Sequence, residues 1–294
     1  MYKINLHILE PCNLNCKHCF SHFGSSKILP VGNWKQIVDN CISSGLVSGF
    51  NIAGGEPLLY PDLEFLIEYI KSKGMYCSII TNGTLVTPDW IKKNARNLDA
   101  IGFSVDSFEP DTIRAIGRIT SRGEYLSVMR MRNLYLKIKQ NNPKCEIKIN
   151  TVVSTLNKDE NIAEAMKDLF IVPNKWKILK MREFKNNAFS NLDISVSEKE
   201  YEEYAERNLS FFGIERKEEE GSEVYTTSDN MKIVIEKELS SGYLIIDSNG
   251  CLIDNSTEGT HTVIANCLDT SFSSAFQKLN FNSSLYSSRY TSLS

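Results

Sequence analysis

Cys12-Asn13-Leu14-Asn15-Cys16-Lys17-His18-Cys19-Phe20 is the stretch on which the fold of this chain turns. Three thiols spaced C-x3-C-x2-C on one loop can occupy three corners of a cubane iron–sulfur cluster, leaving the fourth iron without a protein ligand. An iron left open in this way can bind a substrate. The same spacing also suits ordinary thiols, or a zinc site whose fourth ligand is His18. The other five cysteines, Cys41, Cys77, Cys145, Cys251 and Cys267, are scattered along the chain. Metal ligation therefore explains the cysteine pattern better than a disulfide framework does.

Just upstream, residues 3–9 alternate polar and apolar side chains as a strand does. Downstream, Trp34, Ile37, Val38 and Ile42 have helical spacing within residues 31–44, and an apolar run at 49–53 ends on Gly54-Gly55-Glu56-Pro57. The unit then repeats. Helices are predicted over 63–72, 89–95, 124–140 and 160–169, and strands over 75–81, 100–105, 145–153 and 176–181. Strands alternating with helices argue for a parallel α/β sheet, whose ligands gather at the carboxyl ends of the strands. The cysteine loop, Gly54-Gly55-Glu56, Thr81-Asn82-Gly83 and Ser104-Val105-Asp106 all fall at such ends.

Beyond residue 185 the pattern weakens. A helix is predicted over 198–208 and strands over 231–235 and 243–247, with a charged stretch at 216–223 and a Ser-rich tail from 283 onward whose composition suits disorder. The expected organisation is a barrel domain at 1–185 and a carboxy-terminal extension at 186–294 that closes over the substrate. A net charge of −3 gives no global reason for nucleic-acid or membrane binding, so an anionic ligand must meet locally placed cations. No window approaches the roughly 18 consecutive apolar residues of a membrane span, and no charged segment with an apolar run opens the chain. The expected location is the reducing cytoplasm.

The cysteine loop after a first strand, with Gly54-Gly55-Glu56-Pro57 after a second, resembles the cluster loop and S-adenosylmethionine (SAM) segment of the radical SAM superfamily. The fold this implies is a partial (β/α)6 barrel. Other motifs resemble the viperin family of antiviral nucleotide-modifying enzymes, from about Asn5 to Met181 with a weaker trace at 243–255. These are Asn5-Leu6-His7, Ser104-Val105-Asp106-Ser107-Phe108 with Ile116-Gly117-Arg118, Lys148-Ile149-Asn150-Thr151-Val152, and Lys175-Trp176-Lys177.

The resemblance implies that Cys12, Cys16 and Cys19 hold a [4Fe-4S] cluster. It implies that Gly54, Gly55, Glu56, Thr81, Ser104 and Asn150 hold SAM, and that Arg118, Lys148, Lys175 and Lys177 meet a nucleoside triphosphate. Lysines two apart on a strand share a face, and inward lysines of a barrel need anions; Lys180 and Arg182, in contrast, suit a solvated edge. Asn5 is read either as a contact to the base or as a polar residue on the outer face of the first strand. Asp106 and Arg118 are the candidates for the acid that helps a hydroxyl leave.

The implied reaction takes hydrogen from C4′ of the ribose and expels the 3′-hydroxyl, giving a 3′-deoxy-3′,4′-didehydro nucleotide, with CTP preferred and UTP or GTP as alternatives. A flavodoxin or ferredoxin is the expected electron donor. The pattern departs from animal viperins at Gly49, where they carry a lysine that helps bind the triphosphate. Ala53 replaces a serine, Lys175 an arginine and Asn249 an active-site tyrosine. The amphipathic amino-terminal helix and terminal tryptophan of animal viperins are also missing, so membrane anchoring is not carried over. A radical SAM peptide or small-molecule modifier and a non-catalytic iron–sulfur or nucleotide-binding module are the rival readings. The first would want a cysteine-rich carboxy-terminal region; the second would yield no 5′-deoxyadenosine.

Overall fold

The computed structural model of the protein describes residues 1–21, 27–168, 171–184, 190–217, 221–257 and 259–289. Strands β1 (Tyr2–His7), β2 (Val47–Ala53), β3 (Tyr76–Thr81), β4 (Ala100–Ser104), β5 (Glu146–Val153) and β6 (Lys175–Lys180) pair side by side in chain order, every pair parallel. Between them run α1 (Val31–Ser43), α2 (Leu63–Ser72), α3 (Pro88–Asn94), α4 (Pro110–Ile116), α5 (Val128–Asn141) and α6 (Ile162–Asp168). This is a partial (β/α)6 barrel.

Alternation along the strands dictates which side faces the helices. Ile4 and Leu6, Phe50 and Ile52, Ile101 and Phe103, Ile147 and Ile149, Trp176 and Ile178 are all fully buried in one apolar cluster with Trp34, Ile37, Leu66, Ile70 and Ile138 of the helices. Each such side chain contributes about 2 kcal/mol by leaving water. The residues between them are polar and face inward: Asn5 meets Asn51, Lys148 meets Tyr76, and Lys177 meets Tyr243.

The residues after 185 continue the same sheet at both of its edges. Strands β7 (Ser222–Thr226), β8 (Lys232–Glu236), β9 (Leu244–Ile246), β10 (Cys251–Asp254) and β11 (Thr262–Asn266) give the order β11-β10-β9-β1-β2-β3-β4-β5-β6-β8-β7. β8 runs parallel to β6, and β9 parallel to β1. The two edges are joined by buried polar groups. Lys177 of β6 donates to Glu236 of β8 at 2.5 Å and to the hydroxyl of Tyr243, just ahead of β9, at 3.0 Å. Arg289 Nε donates to the other Glu236 oxygen at 2.6 Å, and its guanidinium lies 4.0 Å from the Tyr243 ring centroid. Burial would raise the fully buried Glu236 carboxyl, but Lys177 and Arg289 prevail and hold it at about 2.

Several expectations change here. The segment from 283 is not wholly disordered: α9 (Ser283–Ser288) is capped by Asn282, and Arg289 after it is buried; residues 290–294 lie outside the described residues. Helix α4 was not expected, although Pro110 at its first turn and Gly117 in the left-handed region at its end mark it out. The long helix begins at Val128 instead of 124, because Ser127 accepts from Arg130 N and caps it there. Strand β7 takes over the end of the expected charged stretch, where Glu223 is buried against Arg216; residues 218–220 lie outside the described residues, as does the last residue of the helix expected at 160–169. Arg182 is no solvated edge residue: it is buried and donates to the carbonyls of Asn255, Thr257 and Thr260. Among the described residues, no helix is long and apolar enough to cross a membrane.

Arg289→Ala removes one cation from a fully buried carboxylate, so it should lower unfolding free energy by about 3 kcal/mol. Urea unfolding reads this; a loss under about 1 kcal/mol would show that Arg289 does not hold the edges together.

Candidate active site

The cluster loop leaves the carboxyl end of β1 and is gripped by three other loops. From β2, Gly55 N donates to Leu9 O at 2.7 Å and Glu56 N to Pro11 O at 3.0 Å. A Cβ on Gly54 would stand 2.4 Å from Leu9 O, and one on Gly55 would stand 2.1 Å from Pro11 O. These glycines are therefore needed for the contact between two backbones, whereas the sequence reading gave them close approach to a ligand. Pro57 does open a short 3-10 turn, with Glu56 accepting from Leu58 N as its cap.

From β3, Asn82 donates to Asn13 Oδ1 at 2.9 Å, and Asn13 donates to Thr84 Oγ1 at 2.8 Å. The buried Glu56 carboxylate ties these first two loops together by accepting from Thr81 Oγ1 at 2.7 Å and Asn82 N at 2.8 Å. Three protein donors thus occupy Glu56, one of them from Thr81, which leaves about one of its roughly four acceptor sites for an ammonium.

From the end of α4 comes the third grip. Asn15 N donates to Gly117 O at 3.2 Å and Lys17 N to Ile116 O at 2.9 Å. A Cβ on Gly117, whose φ is +88°, would lie 2.2 Å from Asn15 O. Arg118 then reaches Asp106 through its Nε, and His18 Nε2 of the cluster loop lies 3.1 Å from the same carboxylate. Asp106 also accepts from Val152 N at 2.8 Å.

Burial would raise Asp106, but Arg118 and His18 hold it well below the usual carboxylate range; burial would lower Arg118, but Asp106 holds it above its ordinary value. The pair is thus held as carboxylate and guanidinium. The structure places both candidates for the leaving-group acid in a charge clamp on the cluster loop. Arg118 belongs to this clamp and not with the lysines that were expected to share an anion with it.

The donor set suits a cluster. Cys12, Cys16 and Cys19 are free thiols near enough for their charges to raise one another's pKa, although burial is the larger cause, pushing Cys16 to about 12. Iron ligation would supply the drive to deprotonate them. Among the described residues no three His, Cys, Asp or Glu converge on one ion. Beside the loop, Ser104 lines a small cavity with Asn82, Ser107 and Arg118. Ser104 and Asn150 are register partners on β4 and β5.

At the other end of the strands lie the lysines. Lys148 and Lys175 are register partners on β5 and β6. Lys148 Nζ donates to Tyr76 OH at 2.6 Å and lies 3.7 Å from Glu146. Burial, with Lys3, Lys175 and Lys177 nearby and only Glu146 opposing, pushes Lys148 down to about 7; burial and then Lys177 push Lys175 to about 8. Lys177 differs: burial lowers it, but Glu236 keeps it above its ordinary value. The anion it needs comes from the chain itself.

Asn5 is on the inner face, not the outer. Its Oδ1 accepts from Asn51 at 3.2 Å and its Nδ2 donates to Leu244 O at 3.2 Å. Ser78 donates in turn to Asn51. Sequence reasoning missed Asn51, Tyr76 and Ser78, although their every-other-residue placement on β2 and β3 was a usable signal. It also missed Glu236 and Arg289, which nothing local marks. The hairpin between β9 and β10 carries Asn249 in its turn, and Ser248 beside it lies 3.5 Å from Glu10 of the cluster loop.

Residues 8–169 match the model of the Radical SAM superfamily. The chain is 35% identical to an S-adenosylmethionine-dependent nucleotide dehydratase of Selenomonas ruminantium, covering 98% of each. A protein of the same name from Psychrobacter lutiphocae is 30% identical, over 98% of this chain and 94% of that one. Among solved structures, native anSMEcpe with bound AdoMet and Cp18Cys peptide has a TM-score of 0.68 at 17% identity, over 97% of this chain and 84% of that one, a likeness of fold.

Gly117→Ala should abolish retention of iron and sulfide after anaerobic reconstitution, because its Cβ displaces the Asn15 carbonyl between two cluster cysteines. Gly123→Ala, also at positive φ but with nothing within 4 Å, should keep both. Equal iron content in the two variants would contradict the docking role of Gly117.

Proposed function

The chain belongs to the radical SAM superfamily and, within it, to the S-adenosylmethionine-dependent nucleotide dehydratases, and from that premise we propose that it dehydrates the ribose of a nucleoside triphosphate, CTP in preference, to a chain-terminating antiviral product. As a member of that superfamily it is an enzyme that works with a [4Fe-4S] cluster and SAM. In this reading Cys12, Cys16 and Cys19 hold the cluster, while Gly54, Gly55, Glu56 and Thr81 shape the SAM pocket. Ser104 and Asn150 present side chains to it. When bound, the cluster and SAM supply a 5′-deoxyadenosyl radical, chemistry beyond any side chain.

The observation that carries this reading is the division of one interior into two ends. The cysteine loop and Gly54-Gly55-Glu56 sit at the carboxyl ends of the strands; Lys148, Lys175 and Lys177 sit near the amino ends of β5 and β6. Four residues of a parallel strand rise about 13 Å, the scale of a nucleotide. A triphosphate held by Lys148 and Lys175, with Lys177 flanking, would reach up toward SAM with its ribose. Asn5 and Asn51 offer amide groups to a base between these ends. The net change is loss of the C4′ hydrogen and the 3′-hydroxyl, with one further electron and a proton taken up, leaving a C3′–C4′ double bond. A nucleotide without a 3′-hydroxyl cannot be extended by a polymerase. A flavodoxin or ferredoxin would supply electrons in the cytoplasm, and no membrane or nucleic acid is needed.

Anaerobic turnover with SAM, a reductant and CTP, UTP, GTP or ATP in turn tests the reaction. A nucleotide product lighter by the mass of water, formed in step with 5′-deoxyadenosine and fastest from CTP, is expected. Fastest turnover of UTP or GTP would replace the base assignment, and 5′-deoxyadenosine without any altered nucleotide would overturn the dehydratase reading.

The lysines predict a pH dependence. Lys148 titrates at about 7 and Lys175 at about 8 without ligand, yet a bound polyanion favours their charged forms. Binding must then take up protons, and CTP affinity should fall as pH rises from 7 to 9. Calorimetry in buffers of different ionisation enthalpy measures both effects; constant affinity with no proton uptake would contradict it.

A further inference from the structure

We infer that Lys3, seated on the ring of Tyr76, is a further phosphate-binding residue of the interior, filling the place that the missing side chain of Gly49 leaves. The inference rests on the nucleotide reading above and extends it to the first two strands.

Lys3, Gly49 and Tyr76 are consecutive register partners across β1, β2 and β3. Gly49 has no room for a side chain, since a Cβ there would stand 2.5 Å from Tyr76 Cβ and 2.6 Å from Tyr76 O. Over this bare position the Tyr76 ring is flanked by two cations. Lys3 Nζ lies 3.4 Å from its centroid, and Lys148 Nζ donates to its hydroxyl.

Tyr76 therefore gathers a lysine from β1 and one from β5 onto the same arc as Lys175. An aromatic face steadies an ammonium without neutralising it, so the positive charge stays available. The acidic groups facing these lysines are few. Glu146 is 3.7 Å from Lys148 with half its side chain exposed, Glu236 is taken by Lys177 and Arg289, and Asp99 is held by Lys71 and Cys77 N. Lys3 itself makes no ion pair within 4 Å among the described residues. Burial lowers its pKa, as it does those of Lys148 and Lys175. Like charges gathered in a half-buried arc are stabilised by an anion with several negative oxygens, which a triphosphate supplies and a nucleoside does not.

The test compares Lys3→Gln, Lys3→Arg and Lys148→Gln in the reconstituted protein, with CTP and cytidine affinities measured at fixed ionic strength. Lys3→Gln should weaken CTP about tenfold and cytidine hardly at all, while Lys3→Arg should keep most of the affinity. If Lys148→Gln weakens CTP and Lys3→Gln does not, the inference is wrong while the nucleotide reading stands. If neither variant changes CTP affinity, the assignment of phosphates to the lysines fails as well. Equal losses for CTP and cytidine would show that Lys3 only shapes the interior. In the unmodified protein, CTP and not cytidine should shield Lys3 from amine acetylation, read by peptide mass. Acetylation of Lys3 unaffected by CTP would overturn the inference whatever the variants do.

Discussion

Six parallel strands with a polar inner face leave two open edges, and the buried contact of Lys177 with Glu236, Tyr243 and Arg289 is what brings those edges together. Lys177 belongs to β6, at one edge of the barrel; Tyr243 leads into β9, which lies on β1 at the other. Glu236 on β8 takes both Lys177 and Arg289, two cations whose own burial would otherwise oppose their charge. Such a cluster is stable only when complete, because each partner removed strands another charge out of water. The interior it encloses is therefore coupled to the carboxy-terminal segment as well as to the barrel strands.

The cluster loop depends on a different constraint, the absence of Cβ atoms. Gly54 and Gly55 meet it from one side and Gly117 from another, each so close that a methyl group would overlap a carbonyl oxygen. Asp106 adds electrostatics, joining His18 on the loop to Arg118 behind it. Three loops, after β2, after β3 and at the end of α4, thus converge with Asp106 on the cluster loop, and the three thiols inherit their placement from them. The same interior carries lysines at its other end, so one enclosure offers a thiol end and a cationic end.

Much of this was legible in the residues. The six strands follow from alternation, since a polar inner face and an apolar helix-facing side leave a period of two in sequence. The cysteine spacing and the inward lysines of β5 and β6 are equally local signals. The partner of Arg118 is not legible there, because a cation's partner is a tertiary fact: nothing around Ile116-Gly117-Arg118 reveals that Asp106 waits behind the cluster loop. Gly54 and Gly55 were assigned to a ligand because a missing Cβ says that something comes close, without saying what. Helix α9 was hidden by its serine-rich composition, and its docking depends on Arg289 finding Glu236, a pairing 53 residues apart. Lys3 was passed over because its environment is built by Gly49 and Tyr76 on two neighbouring strands.

The most direct measurement of the central claim, that a nucleotide's ribose lies between the thiol end and the cationic end, is turnover of CTP carrying deuterium at C4′. The deuterium should appear in 5′-deoxyadenosine, one label for each dehydrated nucleotide formed. Unlabelled 5′-deoxyadenosine beside a dehydrated product that keeps its deuterium would contradict it, because another hydrogen would then face the cluster end of the interior.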